Sequence, residues 1–201
     1  MRVTAGKFGG RALVAPDDAR VRPTSDKVRQ AIFNILSHND FGVGFKLEGA
    51  RVIDLYAGTG AMGIEALSRG ARYCLFIDDE AESRALIRAN VEAFGLTGVT
   101  KIWRRDATDL GERSMDRPFN LAFLDPPYWK NLIAPTLASL RGGDWLAPNA
   151  IVIAEMAEDE TLVAADGFII LDNRLYGDTR VIILLAPSAS HSLDTSPKGG
   201  G

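Results

Sequence analysis

Hydrophobic and polar positions follow two different repeats along this chain. Val28, Ala31, Ile32, Ile35 and Leu36 fall at i, i+3, i+4, i+7 and i+8 and predict an amphipathic helix after Pro23-Thr24. Thr24 suits its N-cap, and Asp26 complements the helix dipole in the first turn. From residue 50 onward, short apolar runs alternate with helical stretches. Arg51–Leu55, Tyr73–Ile77, Val99–Trp103, Phe119–Leu124 and Ile151–Ala154 predict strands; Met62–Arg69, Glu80–Phe94 and Leu132–Leu140 predict helices between them. Phe168–Asn173 and Thr179–Leu185 lie close enough, around Tyr176-Gly177-Asp178, to pair as an antiparallel hairpin.

Repeated strand–helix units imply a mostly parallel sheet covered on both faces. The expected fold is α/β and Rossmann-like, with seven strands and an antiparallel last strand. A short N-terminal extension precedes it, in which Arg2-Val3-Thr4 and Ala12-Leu13-Val14 form a small hairpin ahead of the helix. The expected organisation is an N-terminal basic arm and helix over 1–45 and a cofactor-binding domain over 46–187. Residues 188–201 form a Ser-, Gly- and Pro-rich tail whose composition predicts disorder. No apolar run approaches the roughly 20 residues of a membrane span, and the first residues lack the apolar stretch of a secretory signal, so a cytoplasmic location is expected.

Composition removes several chemistries. Cys74 is the only cysteine, which excludes an internal disulfide, and its apolar surroundings predict a buried structural thiol. His38 and His191 are far apart without ligand spacing, so neither a zinc site nor a Ser-His-Asp triad is expected, and no metal is required. The net charge of −3 does not suggest a polyanion binder. Residues 1–30, however, carry Arg2, Lys7, Arg11, Arg20, Arg22, Lys27 and Arg29 against Asp17, Asp18 and Asp26, a local charge of +4 suited to phosphates.

Two constellations carry chemistry. The first, Asp54-Leu55-Tyr56-Ala57-Gly58-Thr59-Gly60-Ala61-Met62-Gly63, places GxGxxG between a strand and a helix. Gly58, Gly60 and Gly63 permit a tight turn and close backbone approach to a ligand. Asp78, twenty positions beyond Gly58 at the end of the second strand, can accept hydrogen bonds from both ribose hydroxyls, with Asp79 adjacent as an alternative. A dinucleotide and S-adenosylmethionine both fit this much. Asp54, placed to receive an ammonium group, and Asp106, placed near an adenine amine, favour S-adenosylmethionine.

The second constellation is Asp125-Pro126-Pro127-Tyr128, directly after the strand Phe119–Leu124. In doubly wound sheets ligands sit beyond the carboxyl ends of strands, which places this turn beside the glycine loop. Two prolines fix φ and remove two amide donors, leaving a stiff turn rich in acceptors. The Asp125 carboxylate and Pro126 carbonyl can each take one N–H of an exocyclic base amine, aiming its lone pair at a methyl donor. Tyr128 offers a stacking face. Nothing in this chemistry separates guanine N2 from adenine N6.

These residues resemble the class I methyltransferases that modify exocyclic amines, whose motif is [DNS]PP[YFW], over roughly residues 50 to 186. The stretches Val3–Arg11, Val21–Arg29 and Ala31–Leu36, with Asp54–Gly60 and Gly63–Ala71, look like the RsmD family of bacterial 16S rRNA guanine-N2 methyltransferases. Two positions depart from that family's habit of Glu: Asp78 at the ribose position and Gln30 on the first helix. The resemblance implies S-adenosylmethionine as cofactor, guanine N2 as acceptor, and 16S rRNA or the small ribosomal subunit as partner, with no membrane involvement. Arg22, Thr24, Lys27 and Arg29 are expected to frame the RNA entrance. The rival readings are a methyltransferase acting on adenine N6 or on a protein glutamine, and a non-catalytic RNA-binding assembly factor. A nicotinamide oxidoreductase is more distant, since no hydride-transfer residues accompany the loop.

Overall fold

A computed structural model describes residues 1–16, 26–162 and 166–188. Arg22 and Thr24, and all but the first residue of the tail, lie outside the described residues. The elements are α1 (Asp26–His38), β1 (Arg51–Leu55), α2 (Ala61–Ser68), β2 (Tyr73–Ile77), α3 (Ala81–Ala93), β3 (Thr100–Trp103), β4 (Phe119–Leu124), α4 (Ile133–Gly142), β5 (Leu146–Ala157), β6 (Ile169–Tyr176) and β7 (Thr179–Ala186).

The seven strands form one sheet in the order β3-β2-β1-β4-β5-β7-β6. β1 runs parallel to β2 and β4, β2 to β3, and β4 to β5, whereas β7 is antiparallel to both β5 and β6. This is the class I methyltransferase arrangement, and the expected antiparallel last strand is β7. The order reverses between β1 and β4, so the C-terminal ends of these neighbouring strands border one crevice, where doubly wound sheets bind ligands.

Alternation along the central strands splits the core in two. One apolar cluster joins Val52, Phe76, Leu121, Phe123, Ile151, Ile153 and Ile183 to α1, α2 and α3. The other joins Ile53, Leu75, Ala122, Leu124, Val152, Ile182 and Leu184 to α4 and Trp145. Because both faces are covered, β1, β2 and β4 read as continuous apolar runs. Of the stripe predicted on α1, Val28, Ile32 and Leu36 are buried in the first cluster and Ala31 and Ile35 are half-buried; Phe33, outside that stripe, is buried with them. Truncating a side chain as deep as Phe33 to alanine costs about 3–5 kcal/mol.

The N-terminal residues belong to the same core: Val3, Phe8 and Leu13 join the first cluster. The expected hairpin is present, closed by the Arg2–Ala12 antiparallel bridge and by Val3 N–H donating to the Arg11 carbonyl at 3.0 Å. Glu65 on α2 anchors this arm. It accepts the amides of Thr4 at 2.7 Å and Ala5 at 3.1 Å and the Thr4 hydroxyl at 2.6 Å. Ser68, one turn on, accepts the Phe8 amide at 2.9 Å and donates to the Ala5 carbonyl at 2.6 Å.

β5 is longer than the four residues expected. Its first part, Leu146–Ala150, contains Pro148 and Asn149, which hid it from the pattern. A register shift between Phe119 and Leu121 lets β4 pair across this irregular stretch.

Candidate active site

The glycine loop follows from the end of β1. Gly60 caps α2 in a left-handed conformation (φ 78°) that favours glycine. Gly63 serves packing instead: a Cβ there would lie 2.3 Å from the Phe76 ring and 2.5 Å from the Cys74 sulfur. Its absence lets α2 rest directly on β2. Cys74 is the buried thiol expected, and burial pushes its pKa well up.

Two buried carboxylates hold this loop by its amides. Asp54, 2% exposed, accepts the Gly63 N–H at 2.9 Å. Asp78, 7% exposed, accepts the Gly58 N–H through one oxygen and the Glu80 N–H through the other, each at 2.9 Å. Burial raises the pKa of Asp54 well above the ordinary carboxylate range, opposed by the Gly63 hydrogen bond and reinforced by the charges of Asp125 and Asp78. Burial likewise raises Asp78, with the Gly58 and Glu80 amides opposing it. Asp106 lies past the end of β3 and is exposed. The hydroxyl and then the amide of Thr108 hold its pKa below the usual value.

This donor set fits a nucleoside that carries an ammonium group. Asp54 is a buried carboxyl whose ionised form costs least beside a cation, and each Asp78 oxygen retains acceptor capacity after taking one amide. Gly58, at φ 55°, offers backbone with no side chain between it and a ligand.

Asp125-Pro126-Pro127-Tyr128 emerges from β4 at the same edge. Leu124 pairs with Leu55 on one side and Ala154 on the other, so Asp125 begins its turn between the ends of β1 and β5. Asp125 and Tyr128 are half-buried, Pro126 is buried and Pro127 exposed. The Tyr128 hydroxyl lies 3.1 Å from the Thr179 hydroxyl, which ties its ring to β7.

Two residues here were not singled out from sequence. Glu155 stands beside Ala154 as Asp125 stands beside Leu124 and is 2% exposed; a carboxylate closing the run Ile151–Ala154 was its only signal. Trp129 follows the motif, is 66% exposed, and has φ 59°, unusual for a bulky residue. Its amide donates to Glu160 at 2.7 Å and its indole N–H to Asp159 at 3.0 Å. Its ring meets Tyr128 edge-on, 5.7 Å between centroids. A strained backbone, held by two hydrogen bonds and presenting an aromatic to solvent, is a pattern associated with functional sites.

The expected RNA-contacting set needs correction. Lys27 is exposed, but Arg29 is fully buried. Arg29 donates to the Arg2 carbonyl and to Asp26 at 2.8 Å, and its Nε lies 3.5 Å from Glu65. It braces α1 against the arm and α2, and in this conformation no part of it meets a phosphate. Among the described residues of the hairpin, Arg2, Lys7 and Arg11 are exposed. The arm is also not separate from the glycine loop: Asn90 on α3 bonds both Val14 and the Thr59 carbonyl.

A family model described as conserved hypothetical protein 95 matches residues 1–185, taking in the arm and all seven strands except the last residue of β7. The chain belongs to this family. It is the RsmD family that the motifs resemble. Ribosomal RNA small subunit methyltransferase D of Escherichia coli strain K12 is 33% identical over 156 residues, 77% of this chain and 74% of that protein. The Haemophilus influenzae protein of the same name is 27% identical over 179 residues, 88% and 89% of the two chains. Among solved structures, the Escherichia coli protein yhhF superposes with a TM-score of 0.78 at 25% identity, covering 93% of this chain and 98% of that one. Among the described residues no His, Cys, Asp and Glu group could hold a metal ion, and no helix is long and apolar enough to cross a membrane.

Proposed function

We propose that this RsmD-family chain uses S-adenosylmethionine to methylate the exocyclic N2 amine of a guanine in 16S rRNA. The observation that carries this reading is the placement of Asp125-Pro126-Pro127-Tyr128 at the end of β4, next to the glycine loop and the buried Asp54. The relatives named for the small-subunit rRNA support the substrate.

In this reading Asp54 receives the cofactor's ammonium, Gly58 and Asp78 its ribose region, and Asp106 its adenine edge. When bound, S-adenosylmethionine supplies an electrophilic methyl group on a sulfonium that leaves as a neutral thioether. The base amine is a weak nucleophile because its lone pair is delocalised into the ring. Asp125 and the Pro126 carbonyl each accept one of its N–H groups and turn the nitrogen towards a tetrahedral geometry. The proton released on transfer leaves along the hydrogen bond to Asp125. Tyr128, oriented through Thr179, stacks on the target base, and Trp129 offers a second aromatic face beside it. Catalysis by positioning and fixed charge fits a turn with two prolines. Presenting a base to this crevice requires that it leave its stack.

The reading is tested by incubating the protein with labelled S-adenosylmethionine and small-subunit particles from a strain lacking the gene. Label recovered as N2-methylguanine from 16S rRNA is the expected result. Label recovered as N6-methyladenine overturns the guanine assignment and makes adenine the base held by the two-acceptor turn.

A further inference from the structure

Glu65 and Ser68 of α2 hold the N-terminal arm in place. Asn90 is different, because its fully buried side chain spans two segments that the function uses separately. Its amide nitrogen donates to the Thr59 carbonyl in the glycine loop and to the Val14 carbonyl at the end of the arm, both at 2.9 Å. Its oxygen accepts the Val14 N–H at 2.7 Å. A second bridge lies nearby, from the Thr59 hydroxyl to the Met1 sulfur at 3.5 Å. Thr59 sits between Gly58, whose amide is fixed by Asp78, and Gly60, whose close neighbours are Phe76 and Ile87 of β2 and α3.

We propose that Asn90 is a positioning residue that couples the arm to the glycine loop, so that RNA on the arm and S-adenosylmethionine in the loop strengthen each other's binding. The inference rests on the methyltransferase reading above. A ligand that orders the loop fixes the Thr59 carbonyl, the carbonyl fixes the Asn90 amide, and the amide fixes the backbone at Val14. RNA held by the exposed Arg2, Lys7 and Arg11 acts along the same path in reverse, since coupling between binding sites is reciprocal. Only a primary amide presents two donors and an acceptor at one point, which is what Thr59 and Val14 together require.

The test measures S-adenosylhomocysteine affinity by calorimetry, with and without unmodified small-subunit particles, in the wild type, Asn90→Ala and Val14→Pro. Val14→Pro removes the arm's N–H donor, fixes φ at that position and puts the ring against the Asn90 oxygen, while the Asn90 amide nitrogen keeps its bond to the Thr59 carbonyl. The wild type should bind S-adenosylhomocysteine about tenfold more tightly when the particles are present, within the usual range of allosteric coupling. Val14→Pro should keep the particle-free affinity within about twofold and reduce the gain to roughly threefold. Asn90→Ala should lose most of the gain, keeping no more than the Thr59–Met1 contact carries; if it fails to fold, Val14→Pro carries the test. A merely structural clamp lowers the melting temperature of both variants and leaves the tenfold gain intact, which would overturn the proposal. A wild type that binds S-adenosylhomocysteine without any gain overturns it too and leaves the methyltransferase reading standing. A wild type that does not bind S-adenosylhomocysteine at all overturns both.

Discussion

The two halves of the crevice are built on opposite plans. On the β1–β2 side, Asp54 and Asp78 are buried, their oxygens are engaged by backbone amides, and the loop between them packs against Phe76 and Ile87. On the β4–β5 side, Asp125 and Tyr128 are half-buried, Pro127 is exposed and Trp129 stands in solvent. The difference follows from what each half is proposed to hold. A small cofactor of fixed shape can be met by a site formed in advance, with carboxylates kept at an electrostatic cost that the bound cation offsets. A base drawn from a folded RNA needs an open approach, so stiffness at the open edge comes from proline and from tethers such as Tyr128 to Thr179, above the buried Pro126 and Glu155.

The largest effect should come from Asp125→Ala. Loss of one of the two acceptors for the target amine should reduce single-turnover methylation by about 10²–10³-fold, the scale of a lost electrostatic contact in an active site. S-adenosylhomocysteine affinity should stay within a few-fold, because Asp125 belongs to the other half. Asp125→Asn should retain part of the rate, since an amide oxygen still accepts one N–H. Equal losses of affinity and rate would collapse the distinction between the halves.

Arg29→Ala separates scaffold from interface. It removes the α1 partner of the buried Glu65, which keeps its 2.7 Å pair with Arg69, and should cost about 1–3 kcal/mol of stability in denaturant unfolding. RNA affinity should change little at temperatures where the variant is folded. A stable variant with weakened RNA binding would return Arg29 to the substrate set.

Trp129→Ala should weaken RNA binding by about 1–3 kcal/mol, seen as a higher KM for the particle with little change in cofactor affinity. Trp129→Phe should recover much of the loss. An unchanged KM would make the exposed indole a structural cap over Asp159 and Glu160.

The smallest effect is a pH dependence in the cofactor half. The raised pKa of Asp54 means that its ionisation opposes folding, so the stability it confers is present at low pH and lost as pH rises through the folded value. Asp54→Asn can still accept the Gly63 amide. It should therefore raise the melting temperature of the cofactor-free protein at neutral pH by about 2–4 °C, roughly 1 kcal/mol for a chain of this size. That advantage should shrink as pH falls, while cofactor affinity drops. A melting temperature that is lower at every pH would show Asp54 to be stabilising as an anion.

Sequence exposed some of this more readily than the rest. Strands buried on both faces announce themselves as apolar runs, and the carboxylates at their ends stand out against them, which is why Asp54, Asp78 and Asp125 were legible. Arg29 was not, because a charged residue among polar neighbours on a helix reads as solvated; its burial depends on Glu65 and on the arm folding back, neither of which is local. Asn90 was hidden for the same reason, lying in the mixed sequence of α3 with partners from two distant segments. Trp129 carries a local signal, an aromatic just past a rigid motif, but nothing local marks its exposure or its bonds to Asp159 and Glu160. The opening of β5 escaped because pairing with β4 across a bulge, rather than any pattern of its own, makes Leu146–Ala150 a strand.

Whether the open half holds a guanine amine for methylation is read out by mass spectrometry of nucleosides from small-subunit rRNA. A deletion strain is compared with the same strain carrying the wild-type chain or Asp125→Ala. One N2-methylguanine should be missing from the deletion strain, restored by the wild type and not by Asp125→Ala. Restoration by Asp125→Ala, a change confined to N6-methyladenine, or no change in any nucleoside would contradict that reading.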